Sequence, residues 1–184
     1  MSGIETARLT LRAWRDSDRA PYAAINADPA VMEFFPALQD RTASDAAIDA
    51  WNEQLAARGW SNWAVERRDT GAFIGFIGIS VPRRALPFSP CVEIGWRLAR
   101  EHWGHGFATE GALEVLHRGF ECHGLEEIVS FTALLNVRSQ AVMQRIGMRN
   151  ANADFEHPAL PEGHSLRPHC LYRISRAEWA ARGV

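Results

Sequence analysis

The 184-residue chain has no lysine; all 20 of its basic residues are arginine. That absence removes the Schiff-base lysine on which the usual pyridoxal-phosphate chemistry depends. It also removes the lysine of a P-loop, so a glycine turn here is not a Walker A site. The arginine bias is most simply compositional and names no function. Cysteine is scarce: Cys91, Cys122 and Cys170 are odd in number and widely spaced, with no disulfide framework or zinc spacing visible. Each reads as a small buried hydrophobe. Tyrosine occurs only as Tyr22 and Tyr172. No apolar run approaches the roughly 20 residues of a membrane span. The N-terminus lacks a charged-then-apolar signal pattern, because Arg8 and Arg12 alternate with apolar residues. A cytoplasmic location without a membrane partner is expected. A net charge of −2 gives no case for direct nucleic-acid binding, which needs a basic face.

The residues that are present describe a globular protein, 47% hydrophobic and 23% charged. The length predicts one domain over 1–184, able to bury a real core. Residues 91–124 organise it. Cys91 to Leu98 is short and apolar, with Glu93 inside it, and reads as a strand. Trp103-Gly-His-Gly-Phe-Ala108 is a tight turn. Glu110 to His123 then keeps a helical period, with Ala112, Leu113, Leu116 and Phe120 on one face. A glycine turn opening a helix presents bare backbone N–H groups to an anion. The stretch is therefore a candidate holder of a nucleotide diphosphate. The competing reading is a tight strand-to-helix connection and nothing more.

Before it, Arg8 to Trp14 alternates with period two and predicts the first strand. Asp16-Ser-Asp18 starts a helix from Asp18 to about Ala27, and 30–35 reads as a short helical turn closed by Pro36. Ser44 or Asp45 caps a second helix to about Arg58, stopped by Gly59. Trp60–Arg67 and Phe73–Val81 form an antiparallel hairpin across Asp69-Thr-Gly71. After the organising stretch, Glu127–Leu134 is a buried strand. Asn136 caps a helix over Val137–Ile146, stopped by Gly147. Met148 to about Glu156 reads as a strand, 157–168 as a loop and Cys170–Ile174 as the last strand. Ser175 caps a short helix through Trp179. The order β-α-α-β-β-β-α-β-α-β-β predicts an α+β (α/β) fold. Its second to fourth strands form an antiparallel meander, and one βαβ-like unit surrounds the long helix.

At Trp103 to Ala108 the chain resembles the GNAT superfamily of acetyl-CoA-dependent N-acetyltransferases. The family signature Gln/Arg-x-x-Gly-x-Gly/Ala is met by Gly106 and Ala108, and Trp103 departs from it at the Gln/Arg position. That departure, with Thr109-Glu110 following, looks like the Rim-type branch, whose founding members acetylate the N-termini of ribosomal proteins. Arg8-Leu-Thr-Leu-Arg12, Asp28-Pro-Ala-Val-Met-Glu-Phe-Phe-Pro36 and Asn136-Val-Arg-Ser139 leading to Ile146-Gly-Met148 look like the same branch. The resemblance thus covers nearly the whole chain. It implies a mixed, mostly antiparallel sheet of about seven strands flanked by about four helices. It implies acetyl-CoA as co-substrate, no metal, and a primary amine acceptor: a peptide N-terminus or a small molecule. The protein would be a monomer or homodimer. The diphosphate would lie on Trp103, Gly104, His105, Gly106, Phe107, Ala108 and Thr109. Pantetheine would run beside the backbone of Trp96 and Leu98, with Asn136 and Ser139 reaching it from the next helix. A non-catalytic acyl-CoA-binding module is the rival from another class.

The reaction so implied needs a base, a donor to the oxyanion and, optionally, an acid for the leaving thiolate. Glu93 is the first candidate base; desolvation in an apolar strand would raise its pKa. Equally open is a structural pairing of Glu93 with an arginine such as Arg97 or with a backbone group. Many family members use a tyrosine on the fourth helix as acid, but the matching position is Met143, which cannot donate. In the Rim-type branch the serine of Asn-x-x-Ser is proposed instead, here Ser139; the alternative is a helix-start serine bonding first-turn backbone. A backbone N–H near Trp96 or Arg97 would face the oxyanion. The acceptor site is implied between 28–40 and 155–168, with Glu33, Phe34, Phe35 and His157 as candidates against a blander reading of aromatic core and solvated charge. His157, His164 and His169 suggest a metal site by residue type alone; the resemblance calls for none.

Overall fold

The computed structural model describes residues 3–182. The strands are β1 (Ile4–Glu5), β2 (Leu9–Arg12), β3 (Asn62–Arg67), β4 (Phe73–Ser80), β5 (Glu93–Leu98), β6 (Glu127–Ala133), β7 (Arg149–Asn150), β8 (Phe155–Glu156) and β9 (Pro168–Ser175). The helices are α1 (Asp16–Ala27), α2 (Arg41–Arg58), α3 (Phe107–Glu121), α4 (Val137–Arg145) and α5 (Arg176–Ala180). The fold is the mixed α/β arrangement expected, with a mostly antiparallel sheet ordered β1-β2-β3-β4-β5-β6-β9-β7 and β8 also on β9. Among the described residues the single parallel contact is β5 with β6, and it is short: Glu93 opposite Val129.

Side-chain alternation divides the sheet into two faces. Val65, Ile77, Ile79, Ile94, Leu98, Ile128 and Cys170 join Leu116 and Phe120 of α3 in the main core. Ala64 and Phe76 face the other way and pack with Trp14, Tyr22 and Ile48, under α1 and α2. On β5 this alternation turns Glu93 and Arg97 to the α1–α2 face, with Gly95 between them. No helix among the described residues is long and apolar enough to cross a membrane.

The described residues form nine strands and five helices where about seven and about four were expected; the extra strands are β1 and the division of 148–156. Four further expectations need correction. Residues 30–35 make turns rather than a helix (Phe35 N–H donates to Met32 O at 2.9 Å); Pro36 leaves too little chain to offset helix nucleation. Helix α2 starts earlier than Ser44, because Asp40 is the cap and accepts from Ala43 N–H at 2.7 Å. Ser44 is buried instead between helices, accepting from Asn26 Nδ2 at 2.9 Å. The strand expected from Met148 to Glu156 divides into β7 and β8, because Asn150 Oδ1 accepts from Asn152 N–H (2.8 Å) and turns the chain at φ 50°. Cys122 is exposed; Cys91 is half-buried and only Cys170 is buried.

Candidate active site

The turn before α3 is built by two glycines in the left-handed region, Gly104 at φ 77° and Gly106 at φ 80°, where other residues cost about 1–2 kcal/mol. Gly106 is the N-cap of α3, and no side chain caps it. The first helical bond runs from Glu110 N–H to Gly106 O at 3.0 Å. The N–H groups of Phe107, Ala108 and Thr109 are thus left without helical acceptors, aligned at the positive end of the helix dipole. A side chain at Gly104 would meet nothing within 4 Å, so space is open above the turn. Trp103 folds back, its indole Nε1 donating to Leu98 O at 2.8 Å. It fastens the turn to the end of β5, a task that calls for a tryptophan rather than an exposed Gln or Arg. His105 is exposed, and its carbonyl accepts from Arg8 Nη1 at 3.0 Å.

Beside the turn the sheet opens. Val129 N–H donates to Val92 O and Ser130 Oγ to Ile94 O, both at 2.9 Å; beyond that point β5 has no register with β6. Backbone polar groups alternate along a strand, so the next pair on this edge belongs to Trp96 and faces the gap. The Leu98 carbonyl is occupied by Trp103. Across the gap, α4 begins at Asn136, whose Oδ1 accepts from Ser139 N–H at 3.2 Å while its Nδ2 donates to Thr132 Oγ1 at 2.9 Å. Asn136 does the capping, so the Ser139 hydroxyl has no protein hydrogen bond among the described residues and is half-buried. Met143 is in the core at 1% exposure. Free first-turn N–H groups, an open glycine and an unpaired strand edge fit the diphosphate and amide arm of a coenzyme A derivative.

Glu93 lies at the mouth of the gap on the other face. Among the described residues its only side-chain partner is Ser80 Oγ, donating to Oε1 at 3.1 Å. Among the described residues it forms no ion pair, and Arg97 bonds Asn26, Tyr22 and Gln39 instead, so the structural pairing is not realised. Burial pushes its carboxyl up to about 7, against a small opposing effect of Ser80. That value lets one carboxyl take and release a proton near neutrality.

The acceptor candidates fall in two groups. Glu33 is exposed and pairs with Arg138 Nη2 at 2.6 Å. Arg138 also lies over Trp103 (4.6 Å) and Phe34 (5.5 Å), tying 28–40 to α4 and the glycine turn. Phe35 covers Arg97 at 4.1 Å. On the opposite side, His157 stacks on His169 at 4.7 Å within a group that includes Phe131, Phe155 and Phe88. Desolvation holds the pKa of both histidines below the usual value. His157 Nδ1 and His164 Nδ1 accept loop N–H groups, and no group of three or more His, Cys, Asp or Glu among the described residues could hold a metal. Sequence reasoning singled out Glu93 but gave Gly95, Ser80, Ser130 and Arg138 no role, and it named Arg97 only as a partner for Glu93. Period-two alternation from Glu93 through Gly95 to Arg97 was the available signal for two of them.

Residues 8–149 match the family model described as "Acetyltransferase (GNAT) domain". The chain is 33% identical over 147 residues to the uncharacterized protein YkkB of Bacillus subtilis, across 79% of this chain and 84% of that one. It is 29% identical over 183 residues to an FsC-acetyl coenzyme A-N(2)-transacetylase of Aspergillus fumigatus, across 96% of this chain and 77% of the relative. Among solved structures, an acetyltransferase from Agrobacterium tumefaciens superposes with a TM-score of 0.75 at 27% identity, covering 95% of this chain and 94% of the other.

Proposed function

The chain belongs to the GNAT acetyltransferase family, and from that premise we propose that Glu93 serves as the base for acetyl transfer to a primary amine, the acceptor being a peptide or protein N-terminus. The protein is an acetyl-CoA-dependent N-acetyltransferase. The observation that carries the reading is Glu93: an unpaired, desolvated carboxyl near pKa 7 at the mouth of the β5–β6 gap.

Bound acetyl-CoA supplies an acetyl thioester with a thiolate leaving group. The N–H groups of Phe107, Ala108 and Thr109 hold the diphosphate, and Trp103 keeps their turn fixed to β5. The Trp96 backbone holds the pantetheine arm and offers its N–H to the developing oxyanion. Glu93 takes a proton from the incoming ammonium at a carboxylate oxygen, directly or through water, and so frees the lone pair that attacks. Ser139 Oγ, unencumbered by protein partners, hands its proton to the departing sulfur and takes back the one that the attacking nitrogen sheds as the intermediate collapses. Phe34, Phe35, Glu33 and His157 line the approach.

The resemblance of 8–12, 28–36 and 136–148 to the Rim-type branch supports the N-terminal acceptor. A small-molecule amine is the second reading, favoured by the A. fumigatus relative, whose name describes an N(2)-transacetylase and which aligns with 96% of this chain. The test is thiol release from acetyl-CoA with short peptides of free N-terminus and with a panel of small amines. Turnover with peptides and not with small amines supports the first reading. The reverse supports the second. No turnover with any amine, at unaltered coenzyme A affinity, returns the chain to a binding module.

A further inference from the structure

We infer that the acceptor carries a carboxylate, or an equivalent oxyanion, near its amine, and that Arg97 binds it. The inference rests on the acetyl-transfer reading above and narrows its acceptor. Arg97 is 9% exposed and has no carboxylate partner among the described residues. Its Nη1 donates to Asn26 Oδ1 at 2.6 Å and, more weakly, to Tyr22 Oη and Gln39 Oε1, both at 3.4 Å. All three are neutral groups, and all three bonds use one nitrogen. The buried Nε has no partner among the described residues.

An arginine stays protonated even in apolar surroundings, so this is a buried, uncompensated cation, an arrangement folding avoids unless a partner arrives. Burial lowers its pKa, and only a tyrosine hydroxyl offsets that effect. The Phe35 ring at 4.1 Å and Phe76 at 5.7 Å stabilise the charge without neutralising it. The cation also borders the strand face that carries the candidate base. It shares the α1–α2 face of β5 with Glu93, four residues and about 13 Å of strand away. Between them stands Gly95, where a side chain would meet nothing within 4 Å. The base, an open floor and an orphaned cation therefore follow one another along a single strand face. An amine at Glu93 whose molecule continues over Gly95 brings an oxyanion within reach of the guanidinium fork, which suits a carboxylate geometrically. The same field repels acceptors that are cationic along their length, such as polyamines.

Acceptors matched except for charge read this directly. One pair is an amino acid whose carboxylate stands several bonds from its amine, such as a δ-amino acid, and its carboxamide; the other is a short amidated peptide with Glu or Gln at its second position. Wild-type enzyme is expected to prefer the acid in at least one pair by about tenfold or more in kcat/KM. The pair that responds says whether the carboxylate belongs to a small molecule or a peptide. In Arg97→Met the acid-to-amide ratio is expected to fall toward one, and in Arg97→Lys to recover in part, because a point charge replaces a fork. Equal rates for acid and amide in wild-type enzyme overturn the inference and leave acetyl transfer standing, and that comparison requires no variant to fold. An undiminished acid preference in Arg97→Met overturns it equally. Absence of thiol release with every amine overturns the acetyl-transfer reading and this inference together.

Discussion

Glu93 holds its proton near pH 7 because it is desolvated and unpaired, and this has two consequences of opposite benefit. For catalysis, the carboxylate form must be present, so kcat/KM is expected to rise with pH through about 7, measured with an acceptor whose own amine titrates well away from that range. Glu93→Gln should lower kcat/KM by about 10²–10⁴-fold and abolish that limb; an unchanged profile places the base elsewhere. For stability the sign reverses. The folded pKa lies above the unfolded value of about 4.3, so the folded state binds more protons, and stability falls as pH rises from about 4.5 to 7 and stays lowered above. Glu93→Gln should therefore gain about 1–2 kcal/mol over wild type at pH 8, discounted for partial solvation, and nothing from this source at pH 4.5, as measured by denaturant unfolding. Ser139 separates the two properties. Its hydroxyl bonds no protein group, so Ser139→Ala should stay within about 0.5 kcal/mol in stability. Its kcat should fall about tenfold, less than for most acid–base groups because a thiolate leaves readily. Unaltered kcat would remove Ser139 from the proton path.

At the scale of elements, the glycine turn is where conformation and binding coincide. In Gly106→Ala the new methyl finds only Arg8 Nη2, at 3.5 Å, so strain in φ rather than a clash sets the cost, about 1–2 kcal/mol. The melting temperature should fall by several degrees, and coenzyme A affinity should fall with it as the first-turn N–H groups are re-aimed. Gly71→Ala, in the β3–β4 hairpin at φ 70° with open space around it, should cost similar stability and leave affinity unchanged. Equal affinity in both variants would separate the turn from the cofactor. This turn and the helix after it were legible in sequence because glycine pairs and a 3.6-residue period are local signals. The Asn136 cap and the β3–β4–β5 meander were legible for the same reason. The Asp40 cap was not, since Ser44 is as good a cap by type and is diverted only by its contact with Asn26. Arg97 was unreadable as a site: its partners Tyr22, Asn26 and Gln39 are all distant in the chain, and its meaning is a missing partner that no sequence displays.

On the scale of the whole molecule, the sheet is two halves joined at one short seam. β1 to β5 form one antiparallel unit, and β6, β9, β7 and β8 form the other. Between them run one register pair, the Val129–Val92 bond and the Ser130–Ile94 bond, with α3 crossing above. A ligand lodged in the gap past Glu93 contacts β5, the start of α3 and the start of α4 together, and so supplies the links that the seam lacks. Coenzyme A should therefore stabilise the fold cooperatively rather than only at its own contacts. At a hundredfold excess over Kd the gain is about 2.7 kcal/mol, or roughly 5–10 °C in melting temperature for a chain of this size. Amide hydrogen exchange should locate the gain. The Trp96 N–H, unpaired at the strand edge, should exchange fast in the free protein and slow with ligand, as should the N–H groups of Phe107 to Thr109. The β3–β4 ladder, paired on both sides, should change only as much as global stability does. A melting temperature unmoved by saturating coenzyme A would overturn the placement of the cofactor in this gap. A shift with no protection at Trp96 would keep the cofactor and move its arm off β5.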